Sequence, residues 1–313
     1  MHLTALWMAA LLAAASLCAQ PDSRRLVWLD ADTGNEMDDL YAIARLVLDT
    51  SVRLAGLSSA HFNNADLNVF ERWNGYAAAG LVTVEESQRL NAQLLAALGR
   101  TDIPHPLGAD RQTGRAWGQS DPRDSPAAQA LIAAVRSLPP GRQLDVVTLG
   151  PLTNAASALQ LAPDILPHIR IYALGARYDP RTRVWNKSEF NIRNDLNAFD
   201  YVLNLEGLDL TVMPLEAAFP LQFRREDTYA RLDERIGIER ILEDRWREHN
   251  PQDEMRIMWD LALVEAYLNP AQAEIRTVRT PPENTRRRIR AYVEIDAAAL
   301  AADFWKVLKS NSN

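Results

Sequence analysis

Short apolar runs alternate with amphipathic segments along the chain from Leu26 to Met213. Apolar runs of about four to eight residues are typical of buried strands, whereas apolar positions three and four residues apart indicate helices. The pattern predicts strands over residues 26–29, 52–58, 144–149, 169–174 and 208–213. It predicts helices over residues 40–48, 65–80, 84–99, 126–138 and 195–206, with another that begins after Gly150. Because strand and helix alternate, we expect an α/β domain with a mostly parallel, open, twisted sheet and helices on both faces.

The rest of the chain is predicted to contain polar loops, charged helices and two late strands. Residues 102–107 resemble a short edge segment, and residues 108–125 form a loop long enough to carry function. Residues 176–194 are polar and predict a second long loop. The later pattern predicts helices over 225–249, 255–268 and 297–308, and strands over 272–279 and 287–295. We see no internal repeat or linker, so residues 20–313 are interpreted as one domain.

Residues 1–19 are interpreted as a secretory signal peptide. The stretch from Leu3 to Leu17 is almost wholly apolar, and small residues follow it. The stretch is short for a membrane-spanning helix, so we expect no membrane insertion after cleavage at Ala19. Cys18 is the only cysteine, and Leu17 fits poorly before a lipid-modified cysteine, which disfavours an anchor there. A mature chain without cysteine suits an oxidising compartment, and we expect a periplasmic or secreted protein.

Composition and charge narrow the class of partner. The chain has 313 residues, of which 47% are hydrophobic and 24% charged, and its net charge is −7. A negative chain is a poor partner for nucleic acid, because phosphate binding requires a basic face. The one dense basic run, Arg286–Arg290, leads into an alternating pattern and is interpreted as the exposed face of a strand. We therefore expect a small-molecule ligand; the sequence leaves the oligomeric state open, a homo-oligomer included.

The most informative stretch follows the first predicted strand, and we call residues 30–39 the acidic turn. It contains five acids within ten residues: Asp30, Asp32, Glu36, Asp38 and Asp39. Such a turn lies at the carboxyl end of a strand, where open α/β sheets bind ligands. Like charges this close repel one another unless a cation or protons offset them, and Ca²⁺ prefers carboxylate oxygens. A simpler alternative is that Asp38 or Asp39 caps the helix that follows.

Other polar residues also follow predicted strands. Asn63 lies after the second strand, Leu149 and Gly150 end the third, and Glu189 and Asn191 lie in the loop after the fourth. A further acid, Asp260, is flanked by Trp and Leu in an apolar helix. A buried, unpaired charge costs several kcal/mol, so this acid needs a partner. A metal ion shared with the acidic turn would supply one, and a bond to the backbone or to an arginine is the alternative.

Five motifs in this order resemble the inosine–uridine preferring nucleoside hydrolase family. That family begins with a signature close to Asp-Thr-Asp-Pro-Gly-x-Asp-Asp; the acidic turn is similar, with two more residues between the glycine and the paired acids. The other motifs are residues 54–63, ending in Asn63; Leu149–Asn154, which reads Leu-Gly-Pro-Leu-Thr-Asn; Glu189–Asn191, which reads Glu-Phe-Asn; and Trp259–Asp260, where the family has His-Asp. The resemblance spans residues 26–308 and implies a nucleoside hydrolase-like fold related to the Rossmann fold.

The resemblance also implies a reaction and a set of site residues. The reaction is Ca²⁺-dependent hydrolysis of the N-ribosidic bond of a nucleoside or nucleoside-like substrate to ribose and a base. The implied Ca²⁺ ligands are Asp32, Asp39, Asp260 and the main-chain carbonyl of Leu149, with waters completing the shell. Asp32 would also take the proton from a metal-bound water that attacks the sugar. The implied contacts to the ribose hydroxyls are Asp38, Asn63, Asn186, Glu189 and Asn191.

The leaving-group side departs from the family pattern. Purine-cleaving members have a histidine just before the last Asp, whereas this chain has Trp259. Tryptophan stacks on a base but cannot protonate it. Trp117 stands in the loop where a second histidine is often found. His61, His105 and His249 remain, and a lone histidine is more often structural than catalytic. The base that is accepted, and the group that protonates it, stay open.

Two other functions remain as alternatives. A non-catalytic periplasmic binding protein could have kept the ribose pocket without the reaction, because a fold does not fix a function. An aspartyl-phosphate phosphatase would use Asp30 and Asp32 after an apolar strand. That class needs a threonine where Gly34 stands and gives Asp260 no role.

Overall fold

The computed structural model describes residues 22–64, 80–114 and 121–311. Within them the strands are β1 (Arg25–Ala31), β2 (Val52–Ser59), β3 (Leu144–Thr148), β4 (Ile169–Leu174), β5 (Arg177–Asp179), β6 (Val184–Asn186), β7 (Asp209–Met213), β8 (Gln222–Arg224), β9 (Met255–Ile257), β10 (Ala273–Arg279) and β11 (Arg288–Ile295). The α-helices are α1 (Asp38–Leu48), α2 (Thr83–Ala97), α3 (Pro126–Arg136), α4 (Thr153–Leu161), α5 (Phe190–Asn194), α6 (Leu196–Asn204), α7 (Leu215–Ala218), α8 (Arg225–Tyr229), α9 (Gly237–His249), α10 (Trp259–Leu268) and α11 (Ala297–Ser310).

Seven of the described strands form one sheet in the order β10–β11–β7–β4–β3–β1–β2. Neighbours pair in parallel, except for the antiparallel pair β10 and β11. The chain leaves β1 toward β2 and returns on the other side as β3. A crevice therefore opens at the carboxyl ends of β1 and β3, the usual ligand position in such sheets. The acidic turn follows β1 directly, so the topology places it at this crevice.

The core consists of two apolar layers, one on each face of the sheet. Side chains alternate along β1: Val27 and Leu29 pack into one layer, while Leu26 and Trp28 pack into the other. Helices α1, α10 and α11 cover the first face, and α3, α4 and α6 cover the second. The predicted α/β fold, with a mostly parallel sheet and helices on both faces, is confirmed.

The predicted helix over residues 255–268 is wrong at its start. Residues 255–257 form β9, which pairs antiparallel with β8, and α10 begins only at Trp259. A short apolar run does not distinguish a strand from a helix by periodicity alone. The late start has a functional consequence, because it places Asp260 in the first turn of α10 rather than inside a helix.

Three other predictions need correction. The polar loop over 176–194 contains the hairpin β5–β6 and the short helix α5. The helix over 225–249 is interrupted between α8 and α9. Residues 102–107 form no strand; the Pro104 carbonyl accepts a single hydrogen bond from Leu57 N at 2.9 Å. Proline lacks the N–H that a strand ladder requires, which explains why this segment does not extend the sheet.

Some predictions fall outside the described residues: the signal peptide over residues 1–19 with Cys18, nearly all of the helix over 65–80, and Trp117. The other predicted strands and helices are present, with small shifts at their ends. None of the helices in the described ranges is both long and apolar enough to cross a membrane.

Candidate active site

The acidic turn is a tight loop held by bonds from distant parts of the chain. Asn35 N donates to the Asp32 carbonyl at 2.7 Å, which closes the turn after β1. A Cβ on Gly34 would approach the side chains of Phe62 and Glu86 to 2.9 Å, so only glycine fits without displacing them. Arg245 on α9 donates through Nη2 to the Gly34 carbonyl at 2.7 Å. The turn is therefore fixed between α2 and α9 as well as by β1.

Three carboxylates converge where two helices begin. Asp38 and Asp39 lie in the first turn of α1, and Asp260 lies in the first turn of α10. Ligand atoms of these three residues lie within 4.8 Å of one another, and all three side chains are buried. Asp38 Oδ2 accepts a hydrogen bond from Asp260 N at 3.0 Å. The positive ends of two helix dipoles thus offset part of the negative charge.

The capping alternative for the acidic turn is not what the structure shows. Met37 is the N-cap residue of α1, and no side-chain bond caps that helix. Asp38 binds the first turn of α10 instead, 222 residues away in the chain. The paired acids therefore join two helices at the crevice rather than ending one helix locally.

Burial leaves these carboxylates short of partners. Each has an oxygen without a hydrogen-bond partner in the described part of the chain: Asp32 Oδ2, Asp38 Oδ1, Asp39 Oδ1 and Asp260 Oδ1. Burial, followed by the neighbouring Asp39 carboxylate, raises the pKa of both Asp32 and Asp260. Burial, followed by Asp38, raises the pKa of Asp39. Such a group must bind protons or a cation, and an all-oxygen donor set suits a hard divalent cation such as Ca²⁺.

Asp32 reaches this group from the end of β1 because Gly150, two residues after β3, has no side chain in its way. A Cβ on Gly150 would lie 2.7 Å from Asp32 Oδ1. The preceding carbonyl, that of Leu149, accepts a hydrogen bond from Asn191 Nδ2. Leu149 N donates to the Asp30 carbonyl at 2.8 Å, which fixes the two strand ends together. The Leu149–Gly150 turn therefore shapes the space beside Asp32.

A cavity of about 170 Å³ opens above the carboxylates. Its lining residues are Asp32, Asn35, Glu36, Asp38, Leu149, Leu174, Glu189, Phe190, Asn191, Leu215, Trp259 and Asp260. Seven of the predicted site residues line the cavity, and an eighth, Asp39, belongs to the carboxylate group beneath it. The cavity is smaller than the roughly 300–1,000 Å³ of pockets that enclose drug-sized ligands. It suits a small polar group such as a sugar better than a whole nucleoside.

Glu189 and Asn191 are held rigidly on the cavity wall. Glu189 is the N-cap residue of α5 and accepts bonds from Asn191 N and Ile192 N, both at 3.0 Å. Ala176 N adds a third bond at 3.3 Å. Burial raises the pKa of Glu189, while these backbone donors oppose that shift. Fixed polar groups of this kind can recognise hydroxyl groups without reorganising.

Asn63 and Asn186 do not line this cavity. Asn63 is exposed and donates through Nδ2 to the Asp110 carbonyl at 3.0 Å. Asn186 is also exposed, and its Oδ1 accepts a bond from Ser188 N at 2.7 Å. Their roles as ribose contacts stay predictions.

The mouth of the cavity is aromatic on one side. Trp259 is half-buried, and its ring centroid lies 6.1 Å from that of Phe219. Phe219 is 52% exposed. None of the three histidines considered above lines the cavity. His61 is fully buried and lies 2.8 Å from Thr153 Oγ1, and burial lowers its pKa to about 4.

Sequence reasoning missed several residues that shape the site. Phe190 and Leu215 line the cavity, and Phe219 extends its aromatic edge. Arg245 and Arg256 bind the acidic turn from α9 and β9. The aromatic and apolar residues gave no signal, because isolated ones are common in loops. The arginines gave none either, because their partners lie more than 200 residues away in the chain.

Comparison with known proteins places the chain in one family. The family model described as inosine-uridine preferring nucleoside hydrolase matches residues 76–313. An uncharacterised protein of Schizosaccharomyces pombe is 29% identical over an alignment of 163 residues, and the match covers 46% of this chain and 52% of that protein. The non-specific ribonucleoside hydrolase RihC of Escherichia fergusonii is 26% identical over an alignment of 209 residues, and the match covers 61% of each chain. The chain thus spans between half and two thirds of the length of these curated relatives.

Solved structures agree on the fold. A plant nucleoside hydrolase superposes with a TM-score of 0.66 at 18% identity, covering 91% of this chain and 98% of that one. A purine-preferring ribonucleoside hydrolase from Gardnerella vaginalis gives 0.66 at 17% identity, covering 92% and 99%. The effector protein XOO4466 gives 0.70 at 14% identity, covering 94% and 95%. With the family model matching most of the chain, the protein belongs to the inosine–uridine preferring nucleoside hydrolase family.

Proposed function

We propose that this protein hydrolyses the N-ribosidic bond of a nucleoside or nucleoside-like substrate in a reaction that depends on Ca²⁺. Water adds to the anomeric carbon, the bond from that carbon to the base nitrogen breaks, and the products are ribose and the base. The observation that carries this proposal is the set of four buried carboxylates with unpaired oxygens beneath a sugar-sized polar cavity. The family of the chain supports the same reaction class.

The proposed metal site consists of oxygen donors at the bottom of the crevice. Asp32, Asp39, Asp260 and the Leu149 carbonyl would hold the ion, and the unpaired carboxylate oxygens fit that role. Asp38 is also close enough to contribute, although one of its oxygens is occupied by Asp260 N. When bound, Ca²⁺ would supply positive charge that offsets the carboxylates and would order the water at the site.

Asp32 is the proposed general base. It lines the cavity and faces the carboxylate group, so one side chain can contact both the metal site and the attacking water. Oδ2 has no hydrogen-bond partner among the described residues and is available to accept a proton. Without a bound cation, burial and Asp39 raise the pKa of Asp32. In the reaction the base takes up the proton that the attacking water loses.

The sugar would bind in the polar part of the cavity. Asp38, Glu189 and Asn191 line it and would accept or donate hydrogen bonds to the ribose hydroxyls. The negative charge of Asp38 and Glu189 would also stabilise the positive charge that develops on the sugar ring as the bond to the base breaks. Asn63 and Asn186 would join them only if a substrate draws their side chains inward from their exposed positions.

The base would lie at the aromatic mouth. A cavity of about 170 Å³ leaves little room for a base beyond the sugar, while Trp259 and Phe219 lie at its edge. Stacking on tryptophan is favourable for any base, because every base has a π-face. Proteins similar to this chain include a non-specific, a purine-preferring and an inosine–guanosine nucleoside hydrolase, which supports nucleosides as the substrate class.

A panel of ribonucleosides tests the proposal through release of ribose, with and without a chelator. We expect turnover of at least one nucleoside, loss of it with chelator, and recovery with added Ca²⁺. Tight binding of nucleosides without any ribose release would instead favour a non-catalytic binding protein. That alternative is supported by the lack of a histidine at the cavity, within the described residues.

The phosphatase alternative is less compatible with the geometry. Asp30 would have to reach the cavity, but its side chain is 1% exposed and its Oδ1 accepts bonds from Ser58 Oγ and from Asn154 Nδ2. Burial raises the pKa of Asp30 to about 7, which disfavours the ionised nucleophile that this chemistry needs. Release of phosphate from an aryl phosphate would be the outcome that revives this alternative.

A further inference from the structure

The cavity wall carries one acid to which the proposed reaction gives no role. Glu36 lies in the acidic turn, two residues after Gly34 and two before Asp38. It lines the cavity together with Asn35 and Trp259, and its side chain is 40% exposed. It is not among the carboxylates that converge on the metal group. Its position is therefore that of a group presented to a ligand.

We propose that Glu36 determines specificity by accepting a hydrogen bond from an N–H group of the leaving base. This inference rests on the proposed function, since it assigns a role in recognising the base of that reaction. It concerns selection between substrates and leaves the attack on the sugar to Asp32.

Arg256 binds one oxygen of Glu36, while the Glu36 side chain as a whole remains 40% exposed. Arg256 Nη2 donates to Glu36 Oε2, and Arg256 Nη1 donates to Asp253 Oδ2 at 2.9 Å. The same Asp253 oxygen accepts a bond from Asn250 Nδ2 at 3.0 Å, so the arginine is itself held in place. Glu36 Oε1 has no hydrogen-bond partner among the residues that the structure describes. The carboxylate is thus oriented in advance, which lowers the entropy cost of binding a donor.

The partner of Glu36 shows which part of the substrate it faces. Arg256 lies in β9, three residues before Trp259 and on the same segment as the aromatic mouth. β9 pairs with β8, which follows Phe219 closely in the chain. The proposed sugar contacts Glu189 and Asn191 come from α5 and its N-cap, a different part of the molecule. Glu36 therefore belongs to the base side of the cavity.

The chemistry of the bases matches a fixed acceptor. Hypoxanthine, guanine and uracil each carry a ring N–H, whereas an aryl leaving group such as 4-nitrophenol has none. A carboxylate oxygen accepts such a bond, and a bond to a charged group is stronger than one between neutral groups. We therefore expect Glu36 to favour bases with a ring N–H over leaving groups without one.

The test compares kcat/KM on inosine with that on 1-methylinosine and on 4-nitrophenyl β-D-ribofuranoside at pH 8. In the wild type, kcat/KM on inosine should exceed kcat/KM on 1-methylinosine, which lacks the ring N–H. In Glu36→Ala the ratio of inosine to the aryl riboside should fall about 10- to 100-fold, the range for a bond to a charged group. In Glu36→Gln the amide oxygen would turn toward Arg256 and the NH₂ toward the base, so the ratio should fall similarly.

The matched control is Glu274→Ala. Glu274 pairs with Arg276 at 2.6 Å on the exposed strand β10. The substitution therefore also removes a glutamate that pairs with an arginine, but one that does not line the cavity. Its selectivity ratio should equal that of the wild type. Two outcomes would overturn the inference, because a merely structural role of Glu36 predicts both. One is an equal loss of kcat/KM on inosine and on the aryl riboside in Glu36→Ala. The other is a wild-type selectivity ratio in Glu36→Gln.

A binding measurement separates failure of this inference from failure of the proposed function. Calorimetry in the Asp32→Asn background should show weaker binding of inosine after Glu36→Ala, with ribose binding changed much less. If no riboside is hydrolysed but inosine still binds, the proposed reaction fails. The difference in inosine affinity with and without Glu36→Ala then still shows whether Glu36 contacts the base. Absence of any binding of inosine or ribose would overturn both.

Discussion

Asp32 is the carboxylate on which burial, like charge and a glycine neighbour act together. It directly follows β1, faces Gly150 at a distance only glycine permits, and lies close enough to Asp39 for its pKa to rise. Asp32→Asn preserves the size of the side chain but removes proton acceptance. A positioned base contributes about 10²- to 10⁴-fold, and we expect a loss in kcat at or above the top of that range.

The fold of Asp32→Asn should survive, because removal of one clustered charge relieves repulsion. Thermal unfolding without metal is the control: the melting temperature should equal or exceed that of the wild type. Near-normal ribose release by this variant would show that Asp32 is not the base and would strengthen the binding-protein alternative.

Trp259 is expected to hold the base by stacking. Trp259→Ala should lower kcat/KM on nucleosides by roughly 5- to 150-fold, from a stacking contribution of about 1–3 kcal/mol per base. Trp259→Phe keeps an aromatic face beside Phe219 and should retain most of the activity. Steady-state kinetics on the best nucleoside of the panel check both values. An alanine variant as active as the phenylalanine variant would exclude a stacking role.

Much of the site was predictable because the chemistry lies at strand ends. Asp32 and Leu149 directly follow β1 and β3, and Glu189 and Asn191 lie in the segment between β4 and β7. Parallel strands bring the residues at their carboxyl ends to one edge. Asp260 was recognisable as an acid in an apolar context. The partner of Glu36 was not predictable, because Arg256 lies 220 residues away and an isolated arginine carries no positional signal. The exposed position of Asn63 likewise depends on a loop conformation, and that of Asn186 on the β5–β6 hairpin; residue spacing determines neither.

Helices α1 and α10 contact each other near both ends: like charges converge at their first turns, and an ion pair joins them further along. Their first turns hold the converging carboxylates, whereas Arg45 and Glu265 join them further along at 2.8 Å. Arg45 also binds Asp49 and Asp303, both at 2.6 Å. One buried arginine thus serves three carboxylates, and burial raises the pKa of Glu265 to about 7 despite Arg45.

This raised pKa makes the helix pair sensitive to pH. The folded protein retains a proton on Glu265 that the unfolded chain releases above its ordinary pKa of 4.5. The contribution of Glu265 to the free energy of unfolding is therefore complete at low pH and is lost as pH rises through about 7. Glu265→Gln removes this titration, so the variant should gain stability relative to the wild type between pH 5 and pH 8.

Urea unfolding at the two pH values measures the change. Glu294→Gln, on an exposed position of β11, is the control and should show no such trend. The difference in the free energy of unfolding between Glu265→Gln and the wild type should change with pH. A difference that stays constant, or that is more unfavourable to the variant at pH 8, would contradict a raised pKa of Glu265.

The sequence predicted the elements of the sheet better than those between β7 and α10. The strands of the parallel sheet are buried on both faces and read as continuous apolar runs, a strong local signal. The segment from β8 to β9 has short strands of three residues whose pairing brings together positions about 33 residues apart. Its charged helical pattern concealed the break between α8 and α9. Tertiary pairing decided this region, and it is the region that carries Arg245 and Arg256 to the acidic turn.

The carboxylate group joins distant parts of the chain into one structural unit. Asp32, Asp38 and Asp39 belong to the first strand and helix, whereas Asp260 begins a helix far along the chain. An ion bound between them would connect β1, α1 and α10, which lie in the same apolar layer of the core. Binding to the folded state alone would therefore raise the stability of the whole domain and not only order the site.

Without metal, the raised pKa values of Asp32, Asp39 and Asp260 mean that the folded protein holds protons which the unfolded chain releases. Stability without metal should consequently fall as pH rises above the ordinary carboxylate range. Ca²⁺ must displace those protons, so its stabilising effect should grow with pH. At a free Ca²⁺ concentration of 100 times Kd the gain is about 2.7 kcal/mol in the free energy of unfolding.

Thermal unfolding from pH 5.5 to pH 8, with Ca²⁺ or with chelator, tests this coupling. We expect the two melting curves to lie close together at pH 5.5 and to separate at pH 8. Asp260→Asn removes one of the converging carboxylates and should abolish most of the separation, while Glu294→Gln should leave it intact. A separation that is absent at pH 8 in the wild type would show that protons alone neutralise the carboxylates. The metal-dependent part of the proposed mechanism would then have to be abandoned, whereas the sugar-binding cavity would remain as the basis for a binding protein.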